Sequence, residues 1–287
     1  MAFHSLEQIC RLCREENKDF YHVILEDDMK EREVSEEGSR SKMKKMWRAM
    51  VRAAEDYDPA LRSASGLSGC DGGRAAAYYE AGGSLCGEFI GEVVTGAIQM
   101  AESNACMRRI VAAPTAGSCG VLPAVLLPCQ KKFAISDDRI VEALYVAAGI
   151  GQVIASRAFI AGATGGCQAE IGSASAMAAG ALVFLRGGDA GQICDGAAIA
   201  LKALMGLVCD PVAGLVEVPC VKRNVIGAVG AMTAADQALA GIRSFIPADQ
   251  VIDAMREVGE KMDASLRETG LGGLAATAKG ESVRLES

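Results

Sequence analysis

Histidine is nearly absent: the 287 residues hold only His4 and His22. A Ser-His-Asp triad or an H-E-x-x-H zinc site therefore has little material to draw on. Aromatic residues are scarce too, at 5%, so the core must be built from Ala, Val, Ile, Leu and Met. Alternating strand patterns are few, no βαβ rhythm runs along the chain, and no convincing repeat is found. The longest uncharged run, Ile110 to Gln130, is broken by Pro114, Pro123, Pro128, Gly117 and Gly120, which is wrong for a membrane-spanning helix. The N-terminus has no apolar h-region, so no signal peptide is expected and a cytoplasmic location is. Positive charge is in deficit. A net charge of −7 and a pI near 5.1 argue against nucleic acid or an anionic membrane as the main partner.

Small and apolar residues are plentiful. Hydrophobic residues make up 51% and glycines number 33, with a mean hydropathy of +0.21. Such a composition suits helices that approach one another closely. Charge is concentrated at the start, where residues 1–60 carry 11 Lys/Arg and 14 Asp/Glu. This part reads as a charged N-terminal helical segment, with Lys42 to Asp56 amphipathic through Met43, Met46, Trp47, Met50 and Val51. After the loop "LRSASGLSGCDGGR", residues 61–287 read as a helical catalytic domain continuous with it. Glu88 to Val111, Asp137 to Ile160, Gln168 to Leu185, Ala190 to Leu207 and Val225 to Ile246 are long enough for helices and too Ala-rich for strands. The expected fold class is all-α, a multi-helix domain with buried Ala/Gly-rich helices and cofactor-binding loops.

The eleven cysteines fit a closed disulfide framework poorly, being odd in number, and a cytoplasmic chain would keep most of them reduced. Cys70, Cys86, Cys106, Cys129 and Cys194 lie in apolar, helix-like surroundings and read as small core residues. Cys10 and Cys13 form a C-x-x-C pair with no strand before it and no second pair after it; a peripheral helix or a fortuitous spacing accounts for it. Gly149-Ile150-Gly151 opens a dinucleotide-like pattern, but Ile154 stands where the third glycine belongs. Ser39 to Lys42 matches S-x-x-K in a charged surface stretch without the accompanying Ser-Asp-Asn.

Three segments combine Gly or Pro with Cys and polar groups. In "AAPTAGSCGVLPAV" (112–125) the core precedes an apolar helical run, and its N–H groups, including that of Gly117, with the Thr115 and Ser118 hydroxyls, suit a substrate carboxylate; an ordinary N-cap with a tight turn is the plainer reading. In "GATGGCQAEIGSASAMAAG" (162–180), Gly165-Gly166 brings the backbone close to whatever Cys167 binds. In "GLVCDPVAGLVEVPCVKRN" (206–224), Pro211 and Pro219 interrupt any single helix. Cys167, Cys209 and Cys220 are separated by 42 and 11 positions, which are not zinc-finger spacings. Three buried thiols, or an iron–sulfur cluster with one iron open to substrate, both satisfy this pattern.

Taken together, "RIVAAPTAGSCGVLPAV", "GGCQAEIGSASAMAA", "CDPVAGLVEVPCVKRN" and "ETGLGGLAATAKG" resemble the α chain of iron–sulfur-dependent L-serine dehydratase, from about Arg62 to Gly280 and in the same order. The resemblance implies an all-helical lyase that dehydrates and deaminates L-serine to pyruvate and ammonia, a step of amino-acid degradation feeding gluconeogenesis. It implies a 4Fe-4S cluster held by Cys167, Cys209 and Cys220, with the fourth iron open as a Lewis acid. Some relatives have Pro-Thr-Asn where this chain has Pro-Thr-Ala at 114–116. The catalytic base is not named by the resemblance; Lys222 and Ser173 are candidates. Asp210 and Glu217 are expected in solvent, while Lys222 and Arg223 are placed to offset the cluster's charge or meet the substrate carboxylate. Single-chain relatives carry a Gly-Pro-Ser-Ser-Ser-His-Thr stretch that this sequence lacks, so a separate β chain and a heterodimer, or a higher oligomer, are expected. Two other readings stay open: a sulfide-releasing β-eliminase acting on cysteine, and a non-enzymatic cluster-bearing redox sensor. A pyridoxal-phosphate enzyme built on Lys202 or Lys222 lacks the strands it would need.

Overall fold

The computed structural model describes residues 3–286. Thirteen α-helices follow one another: α1 (Leu6–Glu16), α2 (Phe20–Arg32), α3 (Glu36–Glu55), α4 (Asp71–Glu80), α5 (Gly87–Ala105), α6 (Val121–Phe133), α7 (Asp137–Arg157), α8 (Gly162–Gly165), α9 (Ser173–Leu185), α10 (Ala190–Ala203), α11 (Cys220–Leu239), α12 (Ala248–Lys261) and α13 (Ala278–Glu286). Among the described residues there is no strand, only isolated bridges at Arg62–Gly69 and Cys209–Arg267. The all-α expectation is borne out.

Local chemistry sets the helix starts. Ser5, Ser35 and Ser136 cap α1, α3 and α7 by accepting N–H bonds from Gln8, Gly38 and Arg139, and Asp189 with Gln192 forms a reciprocal capping box on α10. Asp137 and Asp138 place negative charge in the first turn of α7, where the helix dipole favours it.

α9 forms the centre. Every residue from Ser173 to Phe184 is buried, and α9 packs on α6, α7, α10 and α11. Small side chains make this possible: a Cβ at Gly180 would stand 2.2 Å from Cδ1 of Ile150, so any larger residue there would have to push that side chain aside. α7 and the stretch Gln168–Leu185 are long and apolar enough to cross a membrane. Most of each is buried against other helices instead, which makes them core helices of this fold.

The N-terminal helices α1–α3 form an outer layer. Phe20, Tyr21 and Trp47 are buried where α2 and α3 pack on α7. Cys10 and Cys13 lie on the inner face of α1, both buried. The helix over residues 36–55 starts six positions before the expected Lys42. The expected helix at Glu88–Val111 stops at Ala105, because Met107 turns the chain with a φ of 58°. Of the cysteines read as core, only Cys129 is fully buried; Cys70, Cys106 and Cys194 are half-buried and Cys86 is exposed. Cys86 fails as a core residue because it occupies the turn that opens α5.

Candidate functional site

Two further expected helices begin differently from the sequence reading, and both of these differences lie at the site. The stretch from Gln168 opens with a π-helical turn, Gln168–Gly172, before α9. Such wide turns occur mostly at functional positions. The helix expected from Val225 instead starts at Cys220, directly after Pro219. Cys220 is thus the first residue of α11 rather than part of a free loop, and proline at the preceding position ends the loop without needing an N–H.

Cys167 immediately precedes the π turn, and Cys209 lies in the loop after α10. All three cysteines are buried. The Cys167 and Cys209 sulfurs and a carboxylate oxygen of Glu170 lie within 4.8 Å of one another. Sequence reasoning missed Glu170, although its position three residues after Cys167 on a helical turn was a usable signal. Cys220 is outside that group of three; its thiol is buried at the start of α11. The hydrogen bond from Cys209 and the nearby Arg223 guanidinium hold the Cys167 thiol below its ordinary value. Cys209 is raised by the same bond and by burial, while burial pushes Cys220 up to about 12. The two shifts run in opposite directions because Cys167, not Cys209, faces the Arg223 cation.

The loop 113–120 covers this group. Burial raises the Glu170 carboxyl above its ordinary value, and the Thr115 hydroxyl and the Gly162 backbone hydrogen-bond to it. A Cβ on Gly117 would come within 3.3 Å of both Glu170 oxygens, and one on Gly162 within 2.7 Å of the Cys209 sulfur; both glycines leave room around the donors. Of the residues expected to bind substrate, Thr115 and Gly117 face Glu170. Ser118 is fully buried and braces the loop from inside, its Oγ 3.1 Å from Thr115 Oγ1. Cys119 turns away toward the Met100 carbonyl.

Asn224, another residue the sequence reading passed over, ties this loop to the thiol loop. It is fully buried, its amide donates to the carbonyls of Gly117 (2.8 Å) and Cys220 (3.0 Å), and its oxygen accepts from Gly120 N–H (2.9 Å). Polar side chains with one donor group and one acceptor both used are what a buried Asn requires. Its place one turn into α11 was the available signal.

Asp210 and Glu217, expected in solvent, are buried at 3% and 6% exposure. Each has partners that repay desolvation. Asp210 meets Arg223 at 2.8 Å as a charge contact rather than an aligned hydrogen bond, and its other oxygen accepts the Leu274 N–H. Glu217 accepts from the hydroxyls of Ser63 and Ser65. Arg223 also donates to the Val208 carbonyl, so it lies against Cys167, Asp210 and the thiol loop together. Lys222 is exposed and pairs with Asp71 at 2.6 Å. Ser173 is fully buried and its hydroxyl has no partner.

A strap from the C-terminal part completes the enclosure. Cys209 N–H donates to Leu266, and Glu268 N–H donates to Cys209, forming the parallel bridge at Arg267.

This arrangement is accompanied by similarity along nearly the whole chain. The family profile described as "Serine dehydratase alpha chain" matches residues 15–275. The chain belongs to the serine dehydratase alpha chain family. It is 44% identical over 281 residues to a protein of Bacillus subtilis (strain 168) named "Probable L-serine dehydratase, alpha chain", covering 98% of this chain and 94% of that one. It is 41% identical over 283 residues to "L-serine dehydratase, alpha chain" of Peptoniphilus asaccharolyticus, covering 98% and 97%. Against "L-serine dehydratase TdcG" of Escherichia coli (strain K12) it is 44% identical over 181 residues, which is 62% of this chain and 40% of that protein.

Proposed function

We propose that the chain is the alpha subunit of an L-serine dehydratase, removing water and then ammonia from L-serine to leave pyruvate, with a 4Fe-4S cluster on Cys167, Cys209 and Cys220. The observation that carries this reading is the meeting of two buried cysteines from separate segments, Cys167 and Cys209, with Glu170, while buried Cys220 is tied through Asn224 to the 113–120 loop. The names of the relatives supply the substrate, and their designation as alpha chains supports a separate β chain as partner.

The donor chemistry fits the cluster. Thiolates suit iron–sulfur centres, and carboxylate and imidazole sets suit other metals. Arg223 offsets the negative charge that gathers on the thiolates, and the missing Cβ atoms leave space beside the Cys209 sulfur at Gly162 and beside the Glu170 carboxylate at Gly117. When bound, a four-iron cluster with one iron free of cysteine supplies a Lewis acid that makes the serine hydroxyl a better leaving group.

The chain's own residues do the positioning. Thr115 and the Gly117 N–H are the groups assigned to a substrate carboxylate. Asn224 holds that loop in register with Cys220. Glu170 is the carboxylate placed to hold or return a proton at the site. Neither candidate base from the sequence is as well placed: Lys222 faces solvent with Asp71, and Ser173 has no partner to take its proton.

The test is anaerobic purification with the β chain, counting iron and acid-labile sulfide, with a pyruvate assay on L-serine. Near four irons per alpha chain and pyruvate formation are expected. A Cys209→Ser protein that keeps the full iron content would overturn the ligand set, and sulfide release from cysteine without pyruvate from serine would overturn the substrate.

A further inference from the structure

The C-x-x-C pair on α1 remains outside the proposed mechanism, and the structure gives one of its members a partner on another helix. The sulfur of Cys10 lies 3.0 Å from that of Cys194 on α10. Cys10 also points at the Ala190 carbonyl at 3.3 Å, so its S–H donates there and its lone pairs receive the S–H of Cys194. Cys13, one turn further along α1, is buried, and no sulfur contact joins it to Cys194.

We propose that Cys10 and Cys194 are an oxidation site, forming a reversible disulfide that fastens α1 to α10. The sulfurs must close by about 1 Å to reach bonding distance, a side-chain adjustment that leaves the helices in place. Other contacts already hold α1 there. Asp249 of α12 accepts the backbone N–H of Leu6 and Glu7, and Arg157 of α7 donates to the His4 carbonyl. The oxidant is a peroxide, small enough to reach a half-buried thiol. One thiol attacks the peroxide and becomes a sulfenic acid as one water leaves. The second thiol displaces the hydroxyl as a second water, so two electrons pass from sulfur to peroxide and the S–S bond forms. The hydrogen bond to Cys10, and then burial, raise Cys194 well above its ordinary value, which makes the step slower than at an exposed thiolate. A dithiol reductant reverses it by exchange.

This inference is independent of the cluster reading. The experiment is titration of the full chain with hydrogen peroxide in the absence of iron, alkylation of free thiols, and non-reducing peptide mapping by mass spectrometry. The expected result is a cross-linked peptide pair containing Cys10 and Cys194, lighter by two hydrogens, loss of those two alkylation sites, and recovery of both on reduction. Cys13→Ser should leave the cross-link unchanged, while Cys10→Ala and Cys194→Ala should each remove it. A Cys10–Cys13 link in its place, or sulfinic acid at Cys10 with no link to Cys194, would overturn the proposal. Using either alanine variant keeps the test open should one of them fail to fold.

Discussion

On α1, Arg14 meets Glu7 at 2.9 Å with 64% and 72% of the two side chains exposed. At the site, Arg223 meets Asp210 at 2.8 Å with 15% and 4% exposed. The distances are nearly equal and the consequences are not. The outer pair works in water, where screening and side-chain entropy leave it worth little. In the inner pair both charges have left water, so each depends on the other and on the backbone groups around it. The outer layer uses charge for solubility, whereas the core spends its few ions on geometry around the thiols. Cysteine divides in the same way: Cys86 at the surface has no partner group to organise, while Cys167, Cys209 and Cys220 share one electrostatic environment.

The largest difference is expected among the cysteines. Serine at 167, 209 or 220 should abolish iron binding, the visible absorption and activity, whereas Cys86→Ser should change none of them. Iron analysis of the anaerobically purified variants checks this, and an iron-replete Cys220→Ser protein would break the division.

Next comes the buried ion. Arg223→Ala strands Asp210 without its cation and should destabilise the fold by about 3–5 kcal/mol; Arg14→Ala should leave the denaturation midpoint essentially unchanged. Chemical denaturation of the two apo proteins measures both, and equal losses would erase the contrast drawn between the two regions.

Asn224→Ala removes the clamp between loops and leaves Gly120 N–H and the Gly117 carbonyl to be satisfied by water or not at all, at about 1–3 kcal/mol. Activity should fall further than stability alone accounts for, with KM for serine rising, because the 115–120 loop loses its register. Unchanged KM would assign Asn224 to packing only.

The smallest effect sharpens the outer-layer side. Asp137 accepts from the indole N–H of Trp47 at 3.1 Å and from Gln130 at 2.8 Å, and these bonds, Gln130 first, hold its carboxyl below the ordinary aspartate value. A lowered carboxyl stabilises the fold fully above the ordinary value and loses that contribution as pH falls through the folded one. Being solvent-screened, it is worth a few tenths of a kcal/mol. Asp137→Asn should narrow toward wild type as the pH drops below about 4. Emission from Trp47, the single tryptophan, follows the unfolding directly.

The sequence told most where period and composition act locally. The Ala-rich windows became α7, α9 and α10 because nothing but helix–helix packing suits long, small, apolar stretches. It told less where a residue's surroundings come from distant segments. Asp210 and Glu217 look solvated beside Pro and Gly, yet their partners are Arg223, Leu274, Ser63 and Ser65, and burial follows from those long-range bonds. Glu170 was hidden by its apolar neighbours: its role emerges only once the π turn brings it beside Cys209. Cys10 likewise reads as half of a C-x-x-C pair, although its contact is with a sulfur 184 positions away.

The strap across the thiol loop also orders events in time. Backbone bonds from Leu266 and Glu268 close on Cys209, and the N–H of Leu274 closes on Asp210. During synthesis, the three cysteines leave the ribosome before the segment that encloses two of their neighbours. The nascent chain can collapse its helical core early, since domains begin to fold as they emerge, but the pocket around Cys209 acquires its final wall only after residue 274 has been added. Enclosure of the thiols is thus a late event, set by the contacts that residues 266, 268 and 274 make with Cys209 and Asp210.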